Sequence, residues 1–195
     1  MTRQRPRLIL ASRSPRRREL LTRAGYEFEV CPPSEAAECE SGIRGGETPS
    51  QLVARLACQK AANVAGRIDQ GLVLGCDTVV ECDGQILGKP TDEGHARAML
   101  EALRGREHRV LSGLCLWQVP GGRSTVDVAV TTLRMDELAP RQLDEYLASG
   151  QWAGKAGAFG YQDGLDWVHV VEGSQSNVVG LPMELLSEML ARYRP

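Results

Sequence analysis

Arg7-Leu-Ile-Leu-Ala-Ser-Arg-Ser-Pro-Arg-Arg-Arg-Glu-Leu-Leu21 reads as a short apolar strand, a tight turn and a helix that opens at Ser14-Pro15. Ser14 suits the N-cap and Pro15 the first helical position. Arg16, Arg17 and Arg18 then crowd the first turn. Cations there oppose the partial positive charge of a helix N-terminus by a few tenths to about 1 kcal/mol each. The placement makes sense if an anion sits at that end, held by free backbone N–H groups and guanidinium forks. A phosphate chain is the obvious candidate.

Strands and helices alternate from there onward. Helix Pro15 to Ala24 closes at Gly25, and Tyr26 to Cys31 alternates as a strand. A polar loop, Pro32 to Pro49, leads to a helix capped by Thr48 and running to about Ala65. Leu72 to Val80 is a β-rich apolar run, and Asp83-Gly84 is a hairpin turn. Thr91 is expected to cap a helix with the stripe Ala96, Met99, Leu100 and Leu103. His108 to Val119 and Arg123 to Met135 form a hairpin around Pro120-Gly121-Gly122, with Val126, Val128 and Val130 on one face. A short helix follows over Pro140 to Ser149, then a glycine-rich loop, a strand over Leu165 to Val171, and an amphipathic helix over Pro182 to Tyr193. The pattern predicts one α/β domain over 1–195 with a mixed central sheet flanked by helices.

The chain has 195 residues, 42% of them hydrophobic and 25% charged, which suits a soluble globular protein. A formal net charge of −2 argues against bulk nucleic-acid binding. The six cysteines, at 31, 39, 58, 76, 82 and 115, are widely scattered and make no C-x-x-C pair, so neither a zinc site nor a redox pair is expected. The apolar run near the start, Leu8 to Ala11, is too short for a cleavable leader, and no stretch approaches the roughly 18 apolar residues of a membrane span. The expectation is a cytoplasmic protein with reduced thiols and no membrane association.

Asp77 lies within the apolar run Leu72-Val-Leu-Gly-Cys-Asp-Thr-Val-Val80. A carboxylate there is costly unless it meets a cation, a metal or several donors. It is either a strand-end Asp bonded to a backbone turn, or a metal ligand or general base. Lys89, in Leu87-Gly-Lys-Pro90, and Lys60, on an otherwise apolar helix, each read alone as solvated lysines. Gly150 to Gln162 combines glycines, Lys155, aromatics and the Gln162 amide, a composition that suits a nucleotide pocket. No G-x-x-x-x-G-K-[ST] or G-x-G-x-x-G is present.

Taken in order, the motifs resemble the Maf family of nucleoside triphosphate pyrophosphatases. The resemblance rests on the Leu10 to Leu21 segment, Ala57-Cys-Gln-Lys-Ala61, Gly75-Cys-Asp-Thr-Val-Val80, Gly88-Lys-Pro90, Lys155-Ala-Gly-Ala-Phe-Gly-Tyr-Gln162 and Asn177-Val-Val-Gly-Leu-Pro182. It implies a Maf/inosine-triphosphatase-like fold with a cleft between two lobes. It implies hydrolysis between the α- and β-phosphates with Mg²⁺ or Mn²⁺, and a homodimer. Asp77 is then the general base and a metal ligand. Ser12, Arg16, Arg17, Lys60, Lys89 and Lys155 contact phosphates or shape the pocket. Arg16, Thr78 and Gln162 fall at specificity positions and resemble the branch acting on dTTP and UTP. Family members also carry a glutamate in the loop after the second strand. Ala37 stands near that place here, with Glu35 and Glu38 as its alternatives. Two rivals stay open: a purine-type enzyme acting on 7-methyl-GTP or inosine triphosphate, and a non-catalytic nucleotide- or nucleic-acid-binding regulator of cell division that uses Arg3, Arg5, Arg7 and Arg13 with the arginine triplet.

Overall fold

The computed structural model describes residues 7–35 and 45–193. Arg3, Arg5, Ala37, Glu38 and Cys39 lie outside them. The seven strands are β1 (Leu8–Ala11), β2 (Phe28–Val30), β3 (Gly71–Cys82), β4 (Gln85–Leu87), β5 (Glu107–Val119), β6 (Ser124–Met135) and β7 (Val168–Glu172). They form a sheet of order β2-β1-β3-β5-β6-β7, with β4 paired to β3. The sheet is mixed: β1 runs parallel to β2 and β3, while β4 is antiparallel to β3 and β7 to β6. The chain divides into two compact units. The first holds residues 1–77, 112–129 and 180–195; the second holds 78–111 and 130–179.

The first unit follows from residue alternation. On β1, Leu8 and Leu10 point to one face and Ile9 and Ala11 to the other. On β3, Leu72, Leu74 and Cys76 share the first of these faces and Val73 the second. On β5, Leu114 and Leu116 take the first face and Cys115 the second. Both faces are buried, so the strands read as near-continuous apolar runs. Helices α1 (Pro15–Arg23) and α6 (Met183–Ala191) cover the first face through Leu21, Leu186 and Met189. Helix α2 (Pro49–Ala65) covers the second through Ala57, Ala61 and Val64. Each fully buried leucine contributes about 1.5–3 kcal/mol.

Two glycines set how closely α2 lies on the sheet. A Cβ at Gly75 would come within 2.9 Å of Ala61 Cβ and N, and nearer still to the Ala57 carbonyl oxygen. A Cβ at Gly113 would meet Ala54 N at 2.8 Å and overlap the Val53 carbonyl. Helix backbone therefore touches strand backbone, an approach that a side chain at either position would block.

The second unit packs Val80 and Cys82 of β3 against α3 (Glu93–Leu103) and α4 (Pro140–Ala148), with Phe159 in the same core. Asp83 and Gly84, at φ 49° and 80°, make the hairpin turn to β4 that Asp-Gly predicts. Three expectations need correction here. Asp92, not Thr91, caps α3: its carboxylate accepts from His95 N at 2.8 Å, while Thr91 Oγ1 donates to Asp92 Oδ2. The last strand begins at Val168 rather than Leu165, with Asp136 N donating to Trp167 O at 2.9 Å just ahead of it. A short helix, α5 (Gln175–Val179), forms where none was expected; Ser174 Oγ accepts from Ser176 N at 3.1 Å at its start. The valine face of β6 is not core: Val126 and Val130 are exposed.

Candidate active site

The parallel strands β1 and β3 pair Ala11 with Gly75, which sets Ser12, just past the carboxyl end of β1, beside Cys76 in the middle of β3. Ligands of open α/β sheets collect at such ends. Ser14 Oγ caps α1 by accepting from Arg17 N at 3.4 Å, and Ser12 Oγ accepts from Ser14 N at 3.2 Å. Ser12 is itself buried.

Arg17 turns inward. Its Nε donates to Gly180 O at 2.8 Å, and its Nη1 donates to Cys76 O at 2.8 Å and Ser12 Oγ at 3.2 Å. Cys76 Sγ also donates to Gly180 O, at 3.3 Å. One buried guanidinium thus ties the end of β1, the peptide just before Asp77 and the turn before α6. This explains why arginine stands at the third position of a helix that should repel it: three oxygens offset the cost. Arg16 is half-buried and Arg18 exposed on the same turn.

Asp77 continues the Val73, Gly75 face of β3, the face that α2 covers, and Lys60 is on α2. Lys60 Nζ donates to Asp77 Oδ1 at 2.5 Å, with the two side chains 15% and 14% exposed. The strand-end reading of Asp77, in which it serves a backbone turn, is the pattern seen instead at Glu81. Glu81 accepts from Gly84 N and Arg109 Nε at 2.7 Å each. Burial pushes the Glu81 carboxyl up, but Arg109 and Gly84 outweigh it and hold the group below its ordinary range.

The segment after β2 is fastened to α2, one turn beyond Lys60. Asn63 Oδ1 accepts from Ser34 N at 2.9 Å and its Nδ2 donates to Ser34 Oγ at 3.1 Å, while Arg67 Nη2 donates to Pro32 O at 2.6 Å. Sequence reasoning missed Asn63; its only signal was a polar residue on the helix facing a proline-rich loop. Glu35 follows this anchored segment and is exposed, and Glu38 lies outside the described residues.

In the second unit, the glycine-rich loop folds into two 3-10 turns, Ala156–Ala158 and Tyr161–Asp163. Gly157 N donates to Gly88 O at 3.0 Å, joining this loop to the Gly88-Lys89-Pro90 loop. Gly157 has φ 67°, and a Cβ there would press on Val80. Lys155 pairs with Asp163 over Gly160. Lys89 and Gln162 are exposed and Thr78 is half-buried. Asn177 is fully buried and donates to Val110 O at 3.0 Å and Thr131 Oγ1 at 2.9 Å, which accounts structurally for its place in the last motif.

Among the described residues no group of three or more His, Cys, Asp or Glu could hold a metal ion. One carboxylate such as Asp77 suits Mg²⁺ or Mn²⁺ differently, as a single ligand beside phosphate oxygens and water.

The architecture defines an α/β protein of the kind seen in Ham1 structures. The structure of the Staphylococcus aureus Ham1 protein aligns with 96% of this chain and 100% of its own, with a TM-score of 0.54 at 12% identity. The chain belongs to the Maf-like protein family, whose model matches residues 7–193. A relative from Rhodopirellula baltica named dTTP/UTP pyrophosphatase is 56% identical over 187 residues, 95% of this chain and 82% of the relative. One from Clostridioides difficile with the same name is 38% identical over 95% of this chain and 94% of its own. The family and the mixed α/β sheet expected from the motifs are both met. No helix among the described residues is long and apolar enough to cross a membrane.

Proposed function

We propose that this protein hydrolyses dTTP, UTP and related pyrimidine nucleoside triphosphates between the α- and β-phosphates, giving a nucleoside monophosphate and pyrophosphate. The observation that carries the reading is the Lys60–Asp77 pair, one peptide beyond the carbonyl that Arg17 holds. The names of the relatives support the substrate class.

The chemistry needs charge neutralisation and an oriented water. Arg16 and the N-terminus of α1 attract the phosphate chain, Ser12 shapes its seat, and Arg17 fixes the frame around it. Lys60 turns from Asp77 to the phosphate oxygens when the triphosphate arrives. Asp77, freed from its partner, takes a proton from water as the oxygen attacks the α-phosphorus. The bond to the bridging oxygen breaks and pyrophosphate leaves. Asp77 would also hold a divalent cation, Mg²⁺ or Mn²⁺, whose contribution is to neutralise phosphate charge. In the second unit, Lys89 and Lys155 are assigned to phosphate contacts, and Thr78 and Gln162, with Arg16, to the choice of base. For Lys155 this requires exchange of Asp163 for phosphate.

We further propose a cytoplasmic homodimer. Val130 and Val171, 45% and 56% exposed on the neighbouring strands β6 and β7, give the second unit an apolar face that suits a second copy.

A panel of triphosphates at equal concentration with Mg²⁺ or Mn²⁺, with products identified, tests the reading. The expected result is dTMP and UMP with pyrophosphate. A nucleoside diphosphate with free phosphate would overturn the assigned bond, and a preference for 7-methyl-GTP or inosine triphosphate would overturn the assigned base.

A further inference from the structure

Three of the cysteines gather on the α2 side of the first unit. Cys115 is fully buried on β5, and Cys31 and Cys58 are partly buried against the same apolar cluster. Cys58 and Cys115 are near enough for each to perturb the ionisation of the other. The reason they meet is the close seating of α2. Gly113, two residues before Cys115 and on the same face of β5, lets the Val53–Ala54 backbone touch the strand. Cys58 lies one helical turn beyond Ala54, so it arrives over Cys115 with little space between the two backbones. A disulfide requires Cα atoms within about 7 Å, so a bridge here depends on the close seating of α2.

We propose that Cys58 and Cys115 form a reversible thiol–disulfide site that closes when the protein meets hydrogen peroxide. Cys58 is the attacking thiol: it is the more exposed of the two, and its contact with Cys115 lowers its pKa, whereas the same contact and burial raise that of Cys115. The Cys58 sulfur attacks one peroxide oxygen, the O–O bond breaks, and hydroxide leaves to become water. The Cys58 sulfenic acid so formed is attacked by the Cys115 sulfur; the S–O bond breaks, the S–S bond forms, and the oxygen departs as a second water. Two thiols lose two electrons and one peroxide becomes two waters. The crosslink ties the helix that carries Lys60 to the central strand β5. The site is independent of the proposed hydrolysis and would stand if that reading failed.

The test is peroxide treatment of the reduced full-length protein, followed by alkylation, intact mass and peptide mapping. The expected product is about 2 Da lighter before alkylation, loses two alkylatable thiols of the six, contains a peptide joining Cys58 to Cys115, and reverts with dithiothreitol. Cys115→Ser should abolish the joined peptide and leave Cys58 as a sulfenic acid that dimedone captures. Cys31→Ser should leave the Cys58–Cys115 peptide intact. A crosslink between Cys31 and Cys58, or six thiols still alkylatable after peroxide, would overturn the proposal.

Discussion

Lys60 Nζ lies 2.5 Å from Asp77 Oδ1, a lysine and an aspartate 17 residues apart held together by the contact of α2 with β3. Neither group carries a decisive signal alone. Gly75, two residues before Asp77 on the same face, lets Ala57 and Ala61 rest on the strand, and Lys60 falls on that side of the helix. The ion pair is therefore a consequence of backbone packing. It leaves a carboxylate paired with a cation beside the carboxyl end of β1.

Asp77→Asn keeps the shape of the side chain and an acceptor for Lys60 but removes the base. Turnover of dTTP should fall at least about a hundredfold, with the circular dichroism spectrum unchanged. Near-normal turnover would remove Asp77 from the proposed role.

Arg17→Lys keeps the charge and loses the fork. Its guanidinium serves Gly180 O, Cys76 O and Ser12 Oγ, and a single ammonium cannot reach all three with the same geometry. Stability to urea should drop by about 2–4 kcal/mol, as buried acceptors lose their donor. Turnover should fall by about tenfold or more, since the peptide before Asp77 loses its anchor. An arginine that only supplied charge to phosphate would tolerate lysine without losing stability.

Gly113→Ala forces a methyl group against the Val53 carbonyl and Ala54 N. The obstacle is backbone, so no rotamer change relieves it. The cost should be at least about 2 kcal/mol, read as a lower urea midpoint at constant slope.

His108 supplies a pH dependence. It is buried against Phe159, edge to face at 5.4 Å, and neither ring nitrogen has a hydrogen-bond partner of good geometry among the described residues. Burial lowers its pKa from 6.5 to about 4, with a backbone contact from Arg106 opposing. The folded state thus binds this proton less readily than the unfolded state. The stability it contributes is complete above about pH 6.5 and is lost as pH falls toward 4, up to about 3 kcal/mol in all. His108→Leu should remove that component of the slope in urea titrations across this window. An unchanged slope would show that His108 titrates normally.

Much of the fold was legible in the residues. Ser14-Pro15 and Thr48-Pro49 marked two helix starts, and Asp83-Gly84 marked a hairpin, because caps and turns are local chemistry. Thr91 misled because the next residue, Asp92, has the stronger cap acceptor, and Thr91 hydrogen-bonds to it instead. The inward course of Arg17 was not legible: its acceptors, Cys76 O and Gly180 O, are 59 and 163 residues away. Nor was the Lys155–Asp163 pair over Gly160, which depends on two 3-10 turns in a loop with no period. Alternation predicted the shared face of Val126, Val128 and Val130 but not which side was solvent.

Hydrolysis of dTTP in water carrying heavy oxygen tests the central claim most directly. A water readied by Asp77 for the α-phosphorus places the heavy oxygen in dTMP and leaves the pyrophosphate unlabelled. Heavy oxygen in the pyrophosphate, with dTMP unlabelled, would mean attack at the β-phosphorus and would contradict the account.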